Sequence, residues 1–193
     1  METLEIKTPL TDTTIHPLIK KRWSPRAFAR QAISEETLNG IFTAASWAPS
    51  AMNEQPWKYI YAEQGTPEFD RLWNCLMPGN QPWTKNAPVL FVALYNKFYE
   101  RNGRLNRNAQ HDLGMANAQL LLQAASQEVY GHILGGFDAD KLIETLELSD
   151  EQVPFCMGVL GYIGDPEKLE EPYRSREQAI RTRKDLEEFV QKL

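Results

Sequence analysis

The chain has 193 residues, of which 42% are hydrophobic and 24% charged, as is typical of a globular protein with one core. Its formal net charge of −5 argues against a general nucleic-acid binder, since such proteins normally present a basic surface. The N-terminus, METLEIKTPLTD, has no signal-like segment, and no apolar run reaches the length of a membrane span. We therefore expect a single domain over residues 1–193, a cytoplasmic location, and neither a membrane nor a nucleic-acid partner.

The first third of the chain predicts two helices, a strand and a further helix. Residues 15–21 have the composition of a short helix. Ser34 fits the N-cap of a second helix, and Pro49 ends that helix because a proline disfavours the α conformation in the residue before it. A β-type run follows at residues 57–61. Thr66, with a proline directly after it, then fits the start of another helix.

The rest of the chain predicts two buried strands and three helices. A continuous apolar run at residues 88–95 indicates a central strand covered on both faces. The helix that begins at Asp112 carries apolar or small residues on nearly every side, so we expect a second subunit to form part of its cover. A helix at residues 139–146 and a buried strand at 153–163 follow. The chain closes in a predicted amphipathic helix with apolar residues at helical spacing: Leu186, Phe189, Val190 and Leu193.

The polar segment at residues 96–110 leaves two interpretations open. It is either a mobile cover, whose Phe98 and Tyr99 line a substrate pocket, or a surface excursion with a frayed helix. Elsewhere, Cys75 and Cys156 are isolated and predict buried, inert thiols. The three histidines have no metal-ligand spacing, so we expect no metal site. The sequence also lacks a G-x-G-x-x-G motif, so a nicotinamide donor would not be held on a Rossmann unit.

Cationic side chains cluster at both ends of this acidic chain. Near the N-terminus, four cations and a serine fall within seven residues: Lys20, Lys21, Arg22, Ser24 and Arg26. Near the C-terminus, Arg174 and Arg176 open a run of basic residues. Arginine forks and a serine hydroxyl suit a phosphate group. Each cluster is equally compatible with a solvated basic face.

Two turns carry groups suited to a flat ring. Ser50, Asn53 and Gln55 lie between two prolines, and their hydroxyl and amide groups could match a heterocycle with alternating donors and acceptors. Serine and asparagine also favour ordinary turns, so this alternative stays open. Gly135 and Gly136 permit a close approach of main-chain N–H groups to a ligand, or they simply join a strand to the helix that Asp138 caps.

Four segments resemble signatures of the nitroreductase family of FMN-dependent, homodimeric oxidoreductases. The sequence APSAMNEQPW at residues 48–57 resembles the family's APSS-x-N-x-QPW, with Ala51 in place of the usual second serine. RWSPRAF at residues 22–28 is similar to R-x-S-x-R/K-x-F. GGFDADKL at residues 135–142 is similar to G-G-F-D-x-x-K-L, and the later GYIGDP resembles L-G-Y/H-P. Together these segments extend the resemblance over nearly the whole chain.

The resemblance implies an α+β fold of nitroreductase type, with a central, mainly antiparallel sheet flanked by helices. It also implies a homodimer built on the long central helix, with a C-terminal segment exchanged with the partner subunit. One FMN would lie at each subunit interface. The stretch around Ser50 would then serve the partner's FMN, while the arginines hold the chain's own.

The resemblance further assigns FMN-binding residues at the matching positions: Arg22, Trp23, Ser24, Arg26, Pro49, Ser50, Ala51, Asn53, Asn80, Gly135, Gly136, Arg174 and Arg176. The arginines and the serine at position 24 are expected near the phosphate and ribityl chain, and the two asparagines near the pyrimidine edge. The backbone of the two glycines would face flavin N5, so no catalytic side chain is expected. Trp23 takes a variable position of its motif, and the missing hydroxyl at Ala51 would loosen flavin binding.

The implied reaction is a ping-pong hydride transfer. NADH or NADPH would reduce the flavin at N5, and a flat acceptor, such as a nitroaromatic or a quinone, would then be reduced at the same face. Two alternatives stay open: a specialised relative, either a reductive dehalogenase or a flavin-fragmenting enzyme, and a flavin-binding module that does not turn over. No ribose-reading residue distinguishes NADH from NADPH.

Overall fold

A four-stranded antiparallel sheet forms the centre of the structure, a computed structural model that describes residues 6–9, 11 and 13–193. The strands are β1 (Trp57–Glu63), β2 (Val89–Asn96), β3 (Tyr130–Leu134) and β4 (Gln152–Gly161). Their order across the sheet is β1-β2-β4-β3, and every neighbouring pair is antiparallel. The predicted antiparallel sheet is confirmed.

Helices flank this sheet on both faces. They are α1 (Pro17–Lys21), α2 (Glu35–Ser46), α3 (Pro67–Trp73), α4 (Gln81–Thr84), α5 (Ala109–Ser126), α6 (Ala139–Leu146) and α7 (Tyr173–Gln178). One hydrophobic core joins α2 and α5 to one face of the sheet, and a second core joins α3, α4 and α6 to the other face. This arrangement confirms the predicted α+β class. No helix among the described residues is long and apolar enough to cross a membrane.

The central strand β2 is buried on both faces, as its apolar run predicts. Leu90 and Val92 point into one core, whereas Phe91 points into the other, because successive side chains of a strand alternate between faces. Phe91 pairs across the sheet with Gly158 on β4. A Cβ atom at Gly158 would lie 2.3 Å from the Phe91 ring, so any larger residue there would displace the ring.

The predicted N-caps are confirmed. The Ser34 side chain accepts a hydrogen bond from the Thr37 amide at 3.2 Å, and the Thr66 side chain accepts one from the Phe69 amide at the same distance. Asp138 caps α6 by accepting from the amide of residue 141 at 3.0 Å. Each cap satisfies an amide that the first turn of a helix otherwise leaves unpaired.

The longest helix, α5, begins at Ala109, one turn before the predicted start at Asp112. Its inner side is buried and includes Leu113. The expected burial on every side is not met within one chain, because Gly114 and Ala118 on the outer side are exposed. The sheet and α2 cover only one side of the helix. A subunit interface on the outer side stays a prediction.

The predicted C-terminal amphipathic helix is wrong for this chain. After α7 the backbone forms only a 3-10 turn at Leu186–Glu188. Leu186 is 60% exposed and Phe189 67% exposed. A short amphipathic helix is stable only when its apolar face packs against a surface, and these exposed side chains pack against none of the described residues. Exchange of the segment with a partner subunit stays a prediction.

The segment at residues 96–110 forms a short hairpin rather than a frayed helix. Phe98 pairs with Leu105, and the Tyr99 amide donates to the Arg104 carbonyl at 2.8 Å. The hairpin contacts the segment before β1 through a hydrogen bond of 2.6 Å from the Glu100 amide to the Glu54 carboxylate. Its role as a substrate cover stays a prediction.

Both cysteines are free and buried, as predicted. Burial raises the pKa of the Cys156 thiol to about 11, so it is protonated at neutral pH. Asn117 on α5 contacts this sulfur at 3.5 Å and accepts a hydrogen bond of 2.8 Å from the Tyr59 hydroxyl. These groups form a polar link between α5 and the sheet.

Candidate functional site

The RWSPRAF segment forms a turn, residues 22–27, that we call the arginine turn. It begins where α1 ends, with the Arg22 amide donating to the Leu18 carbonyl at 2.9 Å. The Arg22 guanidinium contacts the Ser24 hydroxyl at 3.4 Å. The Arg26 guanidinium lies 5.7 Å from the centre of the Trp83 ring. Two predicted anion-binding arginines thus lie on one short, half-buried turn.

A buried carboxylate from α7 holds the arginine turn. Glu177, 1% exposed, accepts hydrogen bonds from the Arg26 amide at 2.8 Å and from the Ala27 amide at 3.0 Å. Burial raises the pKa of the Glu177 carboxyl, and the two amides lower it in part. Each oxygen accepts one amide, and the nearby charges of Lys7 and Arg26 also favour the ionised form. Sequence reasoning missed this residue.

Glu177 brings the two predicted cation clusters together. Burial lowers the pKa of Arg26, the charge of Glu177 partly offsets this, and Arg176 lies close enough to lower the pKa further. Arg174 is placed differently, because its Nε donates to the Leu169 carbonyl at 2.9 Å and its Nη1 lies 3.9 Å from Glu167. The structure therefore joins Arg176, rather than Arg174, to the arginine turn.

His132 on β3 supports the arginine turn from the sheet. Its Nδ1 lies 2.8 Å from the Pro25 carbonyl oxygen, which can only accept, so Nδ1 carries the hydrogen. The centre of the imidazole ring lies 4.7 Å from the centre of the Trp83 ring. Burial lowers the pKa of His132 to about 4, and the nearby arginines at positions 26 and 22 act in the same direction. The histidine is therefore neutral near pH 7. Its place directly before ILGG carried no sequence signal.

Two further arginines that sequence reasoning did not assign extend the cation cluster. Arg181 donates to the Lys20 carbonyl at 2.7 Å and to the Lys7 carbonyl at 3.0 Å. Arg183 lies near Arg22, and burial together with Arg183 lowers the pKa of Arg22. Among the described residues, no ion pair joins a carboxylate to Arg22, Arg26 or Arg176. Guanidinium groups that form no direct ion pair with a described carboxylate are suited to an anion such as a phosphate.

The segment with Ser50, Asn53 and Gln55, residues 50–55, we call the amide stretch. Met52, Asn53 and Gln55 have φ of 59°, 56° and 52°, in the left-handed region that non-glycine residues rarely adopt. The Gln55 amide donates to the Ser50 hydroxyl at 3.0 Å. The Ala51 amide donates to the buried Asp112 carboxylate of α5 at 3.1 Å. A strained backbone held by such contacts is typical of ligand sites.

The turn at Gly135 and Gly136, which we call the glycine turn, lies beside Asn80, the flavin-binding residue predicted in the preceding loop. Asn80 Nδ2 donates to the Gly136 carbonyl at 3.0 Å, and a Cβ at Gly136 would lie 2.7 Å from that nitrogen. Asn80 ends the loop that leads from α3 into the short helix α4. The Tyr173 hydroxyl of α7 donates to the Gly79 carbonyl at 2.8 Å. The same helix thus contacts both the arginine turn and this loop.

Comparison with known proteins identifies the chain's family. The model of the nitroreductase family matches residues 19–162, about three quarters of the chain. The chain belongs to the nitroreductase family. A protein of Polynucleobacter asymbioticus, named as a candidate NADH dehydrogenase/NAD(P)H nitroreductase, is 25% identical over 151 residues, which cover 69% of this chain and 76% of that protein.

Solved structures of nitroreductase type share the fold. An oxidoreductase described as containing FMN is 30% identical, with a TM-score of 0.90, and the match covers 95% of this chain and 94% of that one. A candidate nitroreductase of Desulfovibrio desulfuricans, solved in complex with FMN, is 22% identical, with a TM-score of 0.75 and 93% and 98% coverage. These likenesses agree with the sheet and helices described above.

Within this nitroreductase fold, the predicted site residues divide into two groups. The arginine turn, α7, Asn80 and the glycine turn form one contiguous region. The amide stretch is linked to α5 instead, and no hydrogen bond among the described residues joins it to the arginine turn. Trp23 is 4% exposed, and its ring packs 6.4 Å from that of Tyr130, measured between ring centres. No cluster of described residues has the composition of a metal site.

Proposed function

We propose that this chain is an FMN-dependent oxidoreductase that passes hydride from NADH or NADPH to flat acceptors, such as nitroaromatics and quinones, in a ping-pong cycle. The observation that carries the proposal is the meeting of the arginine turn with α7. Arg176 lies near Arg26 of the arginine turn, and neither they nor Arg22 form an ion pair with a carboxylate among the described residues. This donor set fits a terminal phosphate, which carries about −1.5 to −2 charges near neutrality.

FMN, when bound, supplies the hydride-accepting and hydride-donating chemistry, while the protein binds and orients it. In this proposal Ser24 and the three converging arginines hold the phosphate. Arg174 has a lesser part, because the 167–169 segment already engages its guanidinium. Asn80 donates through Nδ2 to the protein backbone, which leaves Oδ1 to accept from a pyrimidine N–H. The backbone N–H groups of Gly135 and Gly136 are assigned to the side of flavin N5.

The proposal includes a homodimer, in which the amide stretch of one subunit completes the flavin site of the other. Two features of the single chain support it. The outer side of α5 exposes Gly114 and Ala118. Next to the amide stretch, Trp47 is 79% exposed and Met52 is 70% exposed. Apolar surface of this kind is typical of a protein–protein interface. Pro49, Ser50, Ala51 and Asn53 would then contact the partner's flavin.

The first test is a visible absorption spectrum of the purified protein, before and after anaerobic addition of NADH or NADPH. We expect a flavin spectrum that bleaches with at least one donor and returns when a quinone or a nitroaromatic is added. A flavin spectrum that neither donor changes would favour a binding module or a specialised relative. A colourless protein that fails to take up added FMN would contradict the whole proposal.

A further inference from the structure

Glu177 joins the two cation clusters through the backbone rather than through their side chains. Its carboxylate accepts the Arg26 amide at 2.8 Å and the Ala27 amide at 3.0 Å, which lie 151 and 150 residues away in the sequence. It belongs to the one-and-a-half-turn helix α7, which also carries Arg176. One side chain therefore fixes the arginine turn and the helix relative to each other.

The nearby charges of Lys7 and Arg26 favour the ionised form of Glu177, but its negative charge does not favour a bound phosphate. A carboxylate close to a bound phosphate repels it, so charge alone would weaken anion binding. The carboxylate is also costly to bury, and 1% exposure leaves it almost no water. Both oxygens are used by amides of the arginine turn. The geometry therefore points to backbone placement as the purpose of this buried group.

We infer that Glu177 is a positioning residue for the phosphate end of the flavin, whose carboxylate holds the arginine turn so that Arg22, Ser24 and Arg26 face the same anion as Arg176. This inference rests on the proposed function. It assigns the phosphate-dependent part of FMN affinity to a residue that does not itself touch the phosphate. An uncharged replacement would release the turn even though it removes a repulsive charge.

The test compares FMN with riboflavin, which has the same ring system but no phosphate. The full chain, freed of bound flavin, is titrated with each ligand, and the ratio of the two dissociation constants measures the preference for the phosphate. We expect Glu177→Gln to reduce the FMN preference at least about tenfold, since hydrogen bonds to a charged acceptor are lost at the turn. The riboflavin dissociation constant should change little. Glu177→Asp, which keeps the carboxylate, should restore part of the preference.

Glu171→Gln is the matched control, because it removes the same charge from an exposed residue near the start of α7 whose carboxylate accepts from Ser175. It should leave the ratio unchanged. An FMN preference that stays the same or increases in Glu177→Gln would overturn the inference, and an increase would identify simple charge repulsion. If circular dichroism shows that Glu177→Gln is unfolded, the test falls to Glu177→Asp: a reduced preference supports the inference and an unchanged one overturns it. A wild-type chain that binds neither flavin overturns the proposed function and the inference with it.

Discussion

The arginine turn and the amide stretch are both rich in polar groups, yet the chain holds them in different ways. The arginine turn is fixed from two sides, by the buried Glu177 from α7 and the half-buried His132 from β3. The amide stretch has one contact to a buried side chain, Asp112, and places three of its residues in the left-handed region. The first is therefore organised within one chain, whereas the second presents exposed groups outward.

This difference separates two contributions to flavin affinity. A turn that is already fixed loses little conformational freedom when an anion binds, so its cations contribute most of their interaction energy. Each residue that the amide stretch holds in the left-handed region costs roughly 1–3 kcal/mol, and this conformation persists only where surrounding contacts offset the cost. Phosphate recognition should therefore depend on the arginine turn and its supports. Recognition of the flavin ring should depend on Asp112, which anchors the amide stretch, and, in the proposed dimer, on a second subunit.

We expect the largest effect from removing two cations, one from the arginine turn and one from α7. Arg22→Ala combined with Arg176→Ala should weaken FMN binding on the order of a hundredfold or more, because each charge-assisted hydrogen bond contributes about 1.5–3 kcal/mol. The fold should persist, since neither Arg22 nor Arg176 forms an ion pair among the described residues, and burial together with Arg183 lowers the pKa of Arg22. Flavin content after purification and circular dichroism check both points.

The exposed pair Lys58→Ala and Arg107→Ala makes the same change in net charge and serves as the control for this double variant. The control should retain FMN at the wild-type level. Full flavin occupancy in the double variant at positions 22 and 176 would contradict the assignment of the phosphate to the arginine turn. A loss of flavin in both proteins would point instead to long-range charge.

The second expected effect concerns the support that His132 gives to the arginine turn at low pH. Its folded pKa of about 4 lies below the ordinary value of 6.5, so the unfolded chain binds more protons between these values. The contribution of neutral His132 to the free energy of unfolding is therefore fully present above pH 6.5 and is lost as the pH decreases toward 4. The loss from this group is at most about 3 kcal/mol.

His132→Asn keeps a donor for the Pro25 carbonyl but does not titrate, so it isolates this contribution. Urea unfolding at pH 7 and at pH 4.5 should show a smaller loss of stability for the variant than for the wild type. Tyr61→Phe, a substitution on β1 away from the turn, should follow the wild type. Equal losses in His132→Asn and the wild type would refute the role of this histidine.

The third expected effect concerns the amide stretch and is smaller. Asp112→Ala removes the buried acceptor of the Ala51 amide, which lies at 3.1 Å. Leaving that amide unpaired costs about 1–3 kcal/mol, so both flavins should bind roughly tenfold more weakly. The FMN preference over riboflavin should stay unchanged, in contrast to Glu177→Gln. Asp112→Asn retains an oxygen acceptor and should restore much of the affinity. A selective loss of FMN binding in Asp112→Ala would break the division between the two regions.

The comparison also explains which features could be predicted from the sequence. Strand β2 was predictable because a strand covered on both faces is apolar throughout, and the caps at Ser34 and Thr66 were predictable because capping is a local interaction. The cations of the arginine turn were found by their clustering and by the family motif. The sequence wrongly predicted a C-terminal helix, because helical spacing alone does not show that no surface among the described residues covers the apolar face.

Glu177 and His132 were not predictable for a different reason. Each acts on the arginine turn across more than 100 residues of sequence, and neither belongs to a motif that marks it. An isolated glutamate in a basic segment looks like a solvated charge, and an isolated histidine in a strand looks like a core residue. Only the fold shows that both point at the same turn. Residues that position a ligand site are therefore harder to predict from the sequence than the residues that contact the ligand.

We expect the smallest effect from adding a hydroxyl group to the amide stretch. Ala51→Ser restores the hydroxyl that the family signature usually carries, and a neutral hydrogen bond contributes about 0.5–1.5 kcal/mol. We expect FMN and riboflavin to bind up to about tenfold more tightly, by the same factor, because the ring rather than the phosphate would accept the new contact. The exposed Ala139→Ser on α6 is the control and should change neither constant. Tighter binding of FMN alone would mean that the amide stretch reaches the phosphate, and the separation of the two regions would then be wrong.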